Sequence, residues 1–279
     1  MVPVEEYELR ELPDTVIKAA GMDVAKYSVG FINVQSTPPD PKGWALLGSG
    51  TFVSVGSTYA ILTAHHVLSI LPRKGNLGLL LSPTRQQYTV DTQGIAYVPI
   101  ARGPREAEGP DLGAIVLAPS IASSIGAKKA FYSLDSRRDQ MLRSPPDLHD
   151  GFWIVNGFLD ERTVVEREKD GFVKRFYYLT ATGGPDECIM NEDYDYFDFP
   201  VSYAGRPVAP KSFGGMSGGG LWQIPLTHDA QGEITYKTPL FSGVVFYQEP
   251  TTEVSCGVKC HGRLSVYDKA FEAIEGNKP

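Results

Sequence analysis

The chain has 279 residues and a formal net charge of −7 at pH 7, from 26 Lys and Arg against 33 Asp and Glu. Hydrophobic residues make up 42% and charged residues 21%, which favours a globular protein and excludes collagen-like or wholly disordered classes. The acidic balance argues against a nucleic-acid partner, which needs a basic protein surface. No apolar run approaches the roughly 20 residues that cross a bilayer, so no membrane partner is expected.

The start of the chain and its cysteines predict a cytoplasmic location. Residues 1–6, Met-Val-Pro-Val-Glu-Glu, lack the basic and then apolar pattern of a secretory signal. Cys188, Cys256 and Cys260 are an odd number of cysteines in a chain long enough to form a core without disulfides. We therefore expect reduced thiols.

Residues 1–25 predict an N-terminal extension with a short helix at 16–20 that Gly21 ends. Residues 26–120 then alternate short apolar or β-branched runs with turn signals about every 8–12 residues, a rhythm typical of a β-sandwich or β-barrel. The predicted strands are 27–34, 44–55, 58–63, 77–81, 87–90, 95–100 and 112–117, with a turn-rich loop at 36–43 and a tight turn at 56–57.

Residues 121–150 predict a linker between two β-rich halves. A short helix is expected at 120–130, and the polar stretches at 137–139 and 144–147 are expected to be exposed.

Strand patterns resume over residues 151–264, so the chain is predicted to be all-β. Residues 265–279 predict a C-terminal helix and tail, because their apolar residues recur at helical spacing. The predicted strands of this second half are 152–157, 162–168, 173–181, 196–203, 220–225, 234–236 and 240–247.

Three short motifs carry the residue types that nucleophilic acyl transfer needs. The first places His66 after a predicted strand, the second opens a strand with Asp111, and the third surrounds Ser217 with five glycines. A serine hydroxyl needs a base to remove its proton, and histidine can be that base near neutral pH. Asp111 can orient the histidine, and the backbone N–H groups of Gly215 and Ser217 can stabilise an oxyanion.

These motifs resemble those of the trypsin-like serine proteases. Thr-Ala-His-His-Val at 63–67 is similar to the family's Thr-Ala-Ala-His-Cys, and Asp-Leu-Gly-Ala-Ile at 111–115 is similar to its Asp-Leu/Ile-Ala-Leu strand. Gly-Met-Ser-Gly-Gly at 215–219 resembles its Gly-Asp-Ser-Gly-Gly, and the order His, Asp, Ser is the family's order. Residues 48–52 and 242–247 are like the strands that precede the histidine hairpin and wall the substrate cleft.

The resemblance covers about residues 27–275 and implies two six-stranded β-barrels with the catalytic triad between them. It implies hydrolysis of peptide bonds in a polypeptide substrate by Ser217, His66 and Asp111, with no cofactor and no metal. A free protease in the cytoplasm would be harmful, so we expect a partner protein or a loop rearrangement to gate it. The alternatives are a catalytically silent binding module on the same fold and a serine esterase.

Some positions depart from the family's motifs. Val67 replaces the cysteine that often follows the catalytic histidine, which suits a reducing compartment. Met216 replaces the aspartate that pairs with a newly cut N-terminus, so activation by that salt bridge is not expected. The chain thus resembles the intracellular bacterial branch of the family. His65 is a second candidate base, and the motif register favours His66.

The resemblance also implies positions for a substrate pocket. Lys211, six residues before the nucleophile, corresponds to the base of the primary pocket, where a cation favours an acidic substrate side chain. Alternatively, Lys211 points to solvent. Phe246, Tyr247 and Gln248 stand where the family usually has Ser-Trp-Gly, and we expect Gln248 to narrow the pocket mouth. This strand can still pair with an extended substrate.

Two other motif families fit less well. Gly-x-Ser-x-Gly at 215–219 also matches the nucleophile elbow of α/β-hydrolases, with Asp229 and His261 as the further members. That fold needs a helix after the serine, and the glycines at 218–220 are a poor helix start. A phosphate loop needs a lysine after its glycines, and none follows here.

Two clusters have residue types that bind metals. Neither has the usual pattern, because zinc sites show tighter pairs of ligands and calcium loops have a defined spacing. The acidic cluster around Asp195 is expected to form the solvated face of a strand. The clusters are Cys188, Cys256, Cys260 and His261, and Asp193, Asp195 and Asp198.

Overall fold

The computed structural model describes residues 12–34, 45–81, 86–168, 171–185, 187–202, 210–251 and 255–277. It is mostly β-structure in antiparallel sheets, which confirms the predicted all-β class. The first part of the N-terminal extension and the loop predicted at 36–43 lie outside the described residues.

The first large sheet is built from the N-terminal half of the chain. Its strands lie in the order β5-β4-β1-β2-β3-β7-β6, with a short parallel strand β8 beside β2. The strands are β1 (Ser28–Asn33), β2 (Leu46–Val55), β3 (Thr58–Thr63), β4 (Asn76–Leu81), β5 (Gln86–Asp91), β6 (Ile95–Arg102), β7 (Asp111–Leu117) and β8 (Tyr132–Ser133).

The second large sheet is built from the C-terminal half. Its strands lie in the order β10-β9-β13-β16-β17-β12-β11, and β14 and β15 form a separate hairpin. The strands are β9 (Phe152–Glu168), β10 (Gly171–Gly183), β11 (Cys188–Asn191), β12 (Tyr194–Ser202), β13 (Gly220–Ile224), β14 (Leu226–His228), β15 (Ile234–Tyr236), β16 (Leu240–Gln248) and β17 (Ser255–His261).

Helices are short and lie around these sheets. None in the described part of the chain has the length and apolarity that a membrane crossing requires. They are α1 (Asp14–Ala25), α2 (His65–Ile70), α3 (Pro119–Gly126), α4 (Arg138–Arg143), a π-helical segment (Ser265–Ala270) and α5 (Phe271–Gly276).

Local sequence explains the strands that position the site. The hairpin between β2 and β3 has a two-residue loop, and Gly56 supplies the positive φ of 56° that its first position favours. All residues of β7 are buried, because this strand lies between β3 and β6 and is apolar almost throughout. β3 ends just before α2, which carries His66 in its first turn, and β7 begins with Asp111.

One apolar core joins the two sheets. The Tyr27 ring, beside β1, stacks on Trp222 of β13 with a centroid separation of 5.3 Å. Tyr132 of β8 meets the same indole edge-on at 5.4 Å. Buried Leu62 of β3 and Ile154 of β9 belong to this cluster as well. The loops that carry the candidate site therefore meet between two sheets with a common core.

The observed elements differ from the predicted ones at several places. Helix α1 passes through Gly21 to Ala25, since a side chain at Gly21 would touch Thr180 of β10 and the helix packs closely there. Strand β9 is continuous where two strands were predicted, and the predicted break coincides with a register shift against β10. The glycine did not end α1, and the break in the apolar pattern did not end β9. In both cases, packing against other elements determined the length.

The segment predicted as a linker contains folded structure. Helix α4 covers part of the polar stretch predicted to be exposed, and it buries Met141 beside Leu134 in the common core. Strands β8, β11, β14 and β17 were not predicted. The C-terminal helix is present, but it begins with the π-helical segment. In the described residues neither sheet closes into a barrel.

Candidate active site

The turn after β3 positions His66 at the start of α2. Ala64 is extended, and His66 lies in the first turn of the helix. Backbone N–H groups in a first turn have no acceptor within the helix. The N–H of His66 instead donates to Asp111 Oδ1 at 2.8 Å, so Asp111 fixes the backbone as well as the ring of this residue.

Asp111 and His66 form a close pair. His66 Nδ1 lies 2.5 Å from Asp111 Oδ2, and Asp111 is only 3% exposed. Burial alone would lower the pKa of His66, but the hydrogen bond and charge of Asp111, with a smaller effect of Glu106, raise it above its usual value. Burial alone would raise the pKa of Asp111, but the hydrogen bonds and charge of His66 lower it. The pair thus favours a carboxylate that holds the imidazole with Nε2 free to accept a proton.

The Ser217 loop lies against the strand that precedes the histidine hairpin. The N–H of Ser49 in β2 donates to the carbonyl of Ser217 at 2.8 Å. A Cβ at Gly48 would lie 2.6 Å from Val67 and 3.2 Å from the Ser217 carbonyl oxygen, so these two residues approach Gly48 together. Val67, which follows His66, and the backbone of Ser217 therefore both lie next to Gly48.

Sharp backbone turns fix both sides of Ser217. Gly218 has a φ of 88°, and its N–H donates to Val245 of β16 at 2.6 Å. The Ser217 side chain is half-buried, and its hydroxyl makes no hydrogen bond within the described part of the chain. A hydroxyl with no protein partner is available to a neighbouring base or a ligand.

The turn before Ser217 orients two backbone donors. Met216 N–H donates to Phe213 carbonyl at 2.9 Å, and Gly215 has a φ of 89°, the features of a type II turn. The Gly214 carbonyl accepts from Asp160 N–H at 2.9 Å, so the N–H of the same trans peptide, that of Gly215, points the opposite way. Among the described residues, the N–H groups of Gly215 and Ser217 have no acceptor.

Ser49 clamps this turn, a role that the sequence analysis missed. Its hydroxyl donates to Gly215 carbonyl at 2.7 Å and accepts from Phe158 N–H at 2.9 Å. Asn156 was also missed: its Oδ1 accepts from Gly220 N–H at 3.0 Å. A polar side chain inside a buried strand, as at Asn156, is the signal that could have marked it.

Comparison with known proteins assigns no family. No family model matches this chain, and no curated protein matches it significantly. Any function inferred for the site therefore depends on its geometry.

A cavity of about 350 Å³ opens beside the histidine. His65 and His66 line one side, and Arg102 and Glu106 bring opposite charges to the other. Burial lowers the pKa of His65, although Asp111 opposes that effect. His65 thus faces the cavity, whereas His66 is the histidine that Asp111 contacts.

Two residues predicted to line a substrate pocket lie elsewhere. Lys211 is exposed, so it does not form the base of a poorly solvated pocket. Phe246 is 2% exposed and packs on Tyr196 and His261, with ring separations of 5.8 and 4.7 Å. Its side chain therefore fills the interior. Tyr247 is half-buried.

Gln248 ties β16 to the segment before the Ser217 loop. Its Oε1 accepts from Phe213 N–H at 2.7 Å, and its Nε2 donates to the Lys211 carbonyl at 3.2 Å and to Thr251 Oγ1 at 2.9 Å. The Thr251 hydroxyl also donates to the Lys211 carbonyl, at 2.9 Å. These contacts join the end of β16 to residues 211–213, and the narrowing of a pocket mouth by Gln248 stays a prediction.

The α/β-hydrolase alternative does not fit the structure. Ser217 follows a turn, and the next element after it is β13 instead of a helix. His261 accepts a hydrogen bond from the backbone of Asp111, whereas Asp229 accepts from the N–H groups of Gln231 and Glu233 in its own turn. These residues do not form a second catalytic set.

The predicted acidic strand face is wrong at one position. Asp195 is 3% exposed and accepts hydrogen bonds from Leu264 N–H at 2.9 Å and Ser265 N–H at 2.8 Å. It thus satisfies N–H groups at the start of the C-terminal helix. In the described residues no group of three or more His, Cys, Asp or Glu side chains could hold a metal ion.

Proposed function

We propose that this protein is a serine endopeptidase of the trypsin-like class that hydrolyses peptide bonds without a cofactor. The observation that carries the proposal is the His66–Asp111 pair, held by two hydrogen bonds next to the Ser217 loop. The second support is the turn that leaves the Gly215 and Ser217 N–H groups without protein acceptors.

The residues have distinct roles in the proposed reaction. Ser217 Oγ attacks the carbonyl carbon of the substrate while His66 Nε2 takes its proton, and Asp111 stabilises the imidazolium. The N–H groups of Gly215 and Ser217 stabilise the negative oxygen. His66 then gives the proton to the leaving amine, and an acyl-enzyme forms. In the second half, His66 takes a proton from the water that attacks the ester, and then returns that proton to Ser217 Oγ as the acid product leaves.

The fold is proposed to be the double β-barrel of this class. Each of the two sheets would form one barrel, with His66 and Asp111 from the first and Ser217 from the second. The three free cysteines, one exposed and two buried, support the proposal that the protein works in a reducing compartment such as the cytoplasm.

Gating is proposed to act on substrate entry. The type II turn supports an oxyanion site that is formed without substrate. An activator would therefore not need to rearrange the Gly215 and Ser217 N–H groups. Gln248 instead bridges the two segments where an extended substrate would enter. A partner protein that releases this bridge would activate the enzyme.

Cleavage of a peptide library tests the proposal. We expect wild-type protein to yield cleaved peptides by mass spectrometry, and Ser217→Ala to yield none. Gln248→Gly is expected to raise the rate, because it removes the bridge to Phe213 and Lys211. Hydrolysis of nitrophenyl esters without peptide cleavage would indicate an esterase. Neither activity in both the wild type and Gln248→Gly would indicate a binding module. Either outcome would overturn the proposal.

A further inference from the structure

A second histidine contacts Asp111 through its backbone N–H. His261 ends β17, and its Nε2 accepts the backbone N–H of Asp111 at 2.9 Å. Asp111 is thus held at its carboxylate by His66 and at its backbone by His261. The two histidines are far apart in sequence, and only the packing of the two sheets brings them to one residue.

Aromatic rings enclose His261. The ring centroids of Phe246, Tyr196 and Tyr194 lie 4.7, 5.2 and 6.0 Å from its own. The side chain is fully buried, and its Nδ1 has no hydrogen-bond partner among the described residues. Since Nε2 accepts a hydrogen bond, a neutral ring carries its proton on Nδ1.

The surroundings keep this ring neutral. Burial lowers the pKa of His261 to about 4, and the negative charge of Asp111 opposes this only in part. If the His261 ring were protonated, its Nε2–H would face the backbone N–H of Asp111, and the hydrogen bond between the two residues would be lost. Tyr194 and Tyr196 face the ring as well, and burial raises the pKa of both phenols, so both stay uncharged near neutral pH.

The acceptor matters because the Asp111 N–H is buried at the first residue of β7. A buried N–H without a partner costs about 1–3 kcal/mol, and the backbone would shift to find one. A shift of Asp111 moves the carboxylate that orients His66. A displacement of about 1 Å in such a group can lower a rate by about 100-fold.

We propose that His261 is a positioning residue that fixes Asp111, and through it His66, for the proposed hydrolysis. This inference rests on the proposed function. His261 itself does not touch the substrate, and its effect passes through the backbone of Asp111.

Two substitutions distinguish the role of His261 as a hydrogen-bond acceptor from the role of its ring in packing. His261→Phe keeps an aromatic ring in the cage and removes the acceptor, whereas His261→Gln puts an amide oxygen within reach of the Asp111 N–H. We expect His261→Phe to lower kcat by about 10- to 100-fold with KM nearly unchanged, and His261→Gln to regain most of kcat. The acid limb of kcat/KM should also move to lower pH in His261→Phe, because His66 loses its oriented carboxylate.

A matched control makes the same exchange at an exposed histidine. His228→Phe lies on β14, away from Asp111, and should keep wild-type kcat. An unchanged kcat and pH profile in His261→Phe would overturn the inference. Equal losses in the Phe and Gln variants, without recovery by Gln, would assign His261 to packing alone and would also overturn it.

A spectroscopic readout does not depend on turnover. Nitrogen-15 NMR of the wild-type imidazoles should show His261 as a neutral Nδ1–H tautomer throughout pH 5–8, while His66 titrates. A charged His261 or an Nε2–H tautomer would overturn the inference even if the variants fail to fold. Absence of peptidase activity in both the wild type and Gln248→Gly would overturn the proposed function, and the tautomer would still decide whether His261 holds Asp111.

Discussion

Asp111 accepts hydrogen bonds from both the backbone and the ring of His66, and this double contact separates His66 from its neighbour His65. The sequence motif favoured His66 by register alone, and the structure gives the physical reason for that preference. The carboxylate has lost most contact with water, so each hydrogen bond to it counts for more than it would at the surface.

Substitution of Asp111 tests this contact. Asp111→Asn keeps the size of the side chain and removes the charge, so His66 loses the partner that sets its tautomer. We expect kcat to fall by about 10⁴-fold and the pKa of His66 to fall, because the charge of Asp111 raises it. Kinetics across pH measure both effects. Glu106→Gln is the control, with a smaller shift of the pKa in the same direction, and equal effects would contradict the account.

Under the proposed function, the pH dependence of hydrolysis by the wild-type protein follows from His66. The base must be neutral, and its pKa lies above the usual 6.5, so kcat/KM should rise with pH through a midpoint above 6.5. Measurement of kcat/KM between pH 5 and 9 gives that midpoint. A flat profile, or a midpoint below 6.5, would show that His66 is not the base.

At the scale of elements, the turn around Ser217 requires glycine. A Cβ at Gly218 would overlap the Ser49 carbonyl oxygen and the Thr63 hydroxyl, and its φ is 88°. We expect Gly218→Ala to lower the free energy of unfolding by about 3–5 kcal/mol and to abolish activity. Gly56 also has a positive φ, of 56°, but a Cβ there meets nothing within 4 Å.

The Gly56→Ala variant is therefore the matched control, with an expected loss of about 1–2 kcal/mol and full activity. Urea unfolding measures both variants. Similar losses at the two positions would show that the close contact of Gly218 with Ser49 does not constrain the loop.

The sequence predicted elements where the pattern is local. The strand 58–63 and the hairpin before it follow from alternation and a Gly turn, and the structure has the same bounds. β17 was missed although buried Cys256, Val258 and Cys260 alternate along it. Cys256, Cys260 and His261 are also residue types that bind metals, so the same run fits a cluster of ligands as well as a strand. β11 has only four residues, all exposed, and its apolar run Cys188–Met190 shows no alternation with polar residues, so it lacks the pattern that predicts a strand.

At the scale of the whole molecule, the site depends on pairings that no local pattern predicts. His261 meets Asp111, and Gln248 meets Phe213, only after distant segments pack together. The motifs predicted the triad residues, but the clamp by Ser49 and the interior position of Phe246 needed the fold. A single sequence does not predict contacts between distant residues, whereas glycine-rich turns and strand ends are predicted by their local sequence.

The shared core predicts that both sheets unfold together. Buried Tyr267, in the C-terminal helical segment, donates from its hydroxyl to the Phe241 carbonyl at 2.8 Å within this core. We expect Tyr267→Ala to lower the free energy of unfolding by about 3–5 kcal/mol. Tyr267→Phe, which keeps the ring, should cost about 1 kcal/mol.

Both variants should shift one transition in urea. Fluorescence of Trp153 and Trp222, recorded in a Trp44→Phe background that removes the third tryptophan, monitors the second sheet, and hydrogen exchange in β3 and β7 monitors the first. Coincident midpoints are expected in each protein. Separate midpoints for the two sheets would contradict a common core.

The most direct test of the central claim is reaction with a fluorophosphonate, which labels activated serines, measured by intact mass. The account predicts one adduct on the wild-type protein, located at Ser217 by peptide mapping. Ser217→Ala and His66→Ala should give no adduct, whereas His65→Ala and the exposed-site control His149→Ala should be labelled. Wild-type protein without an adduct, or an adduct that persists in His66→Ala, would contradict an assembled His66–Asp111–Ser217 site.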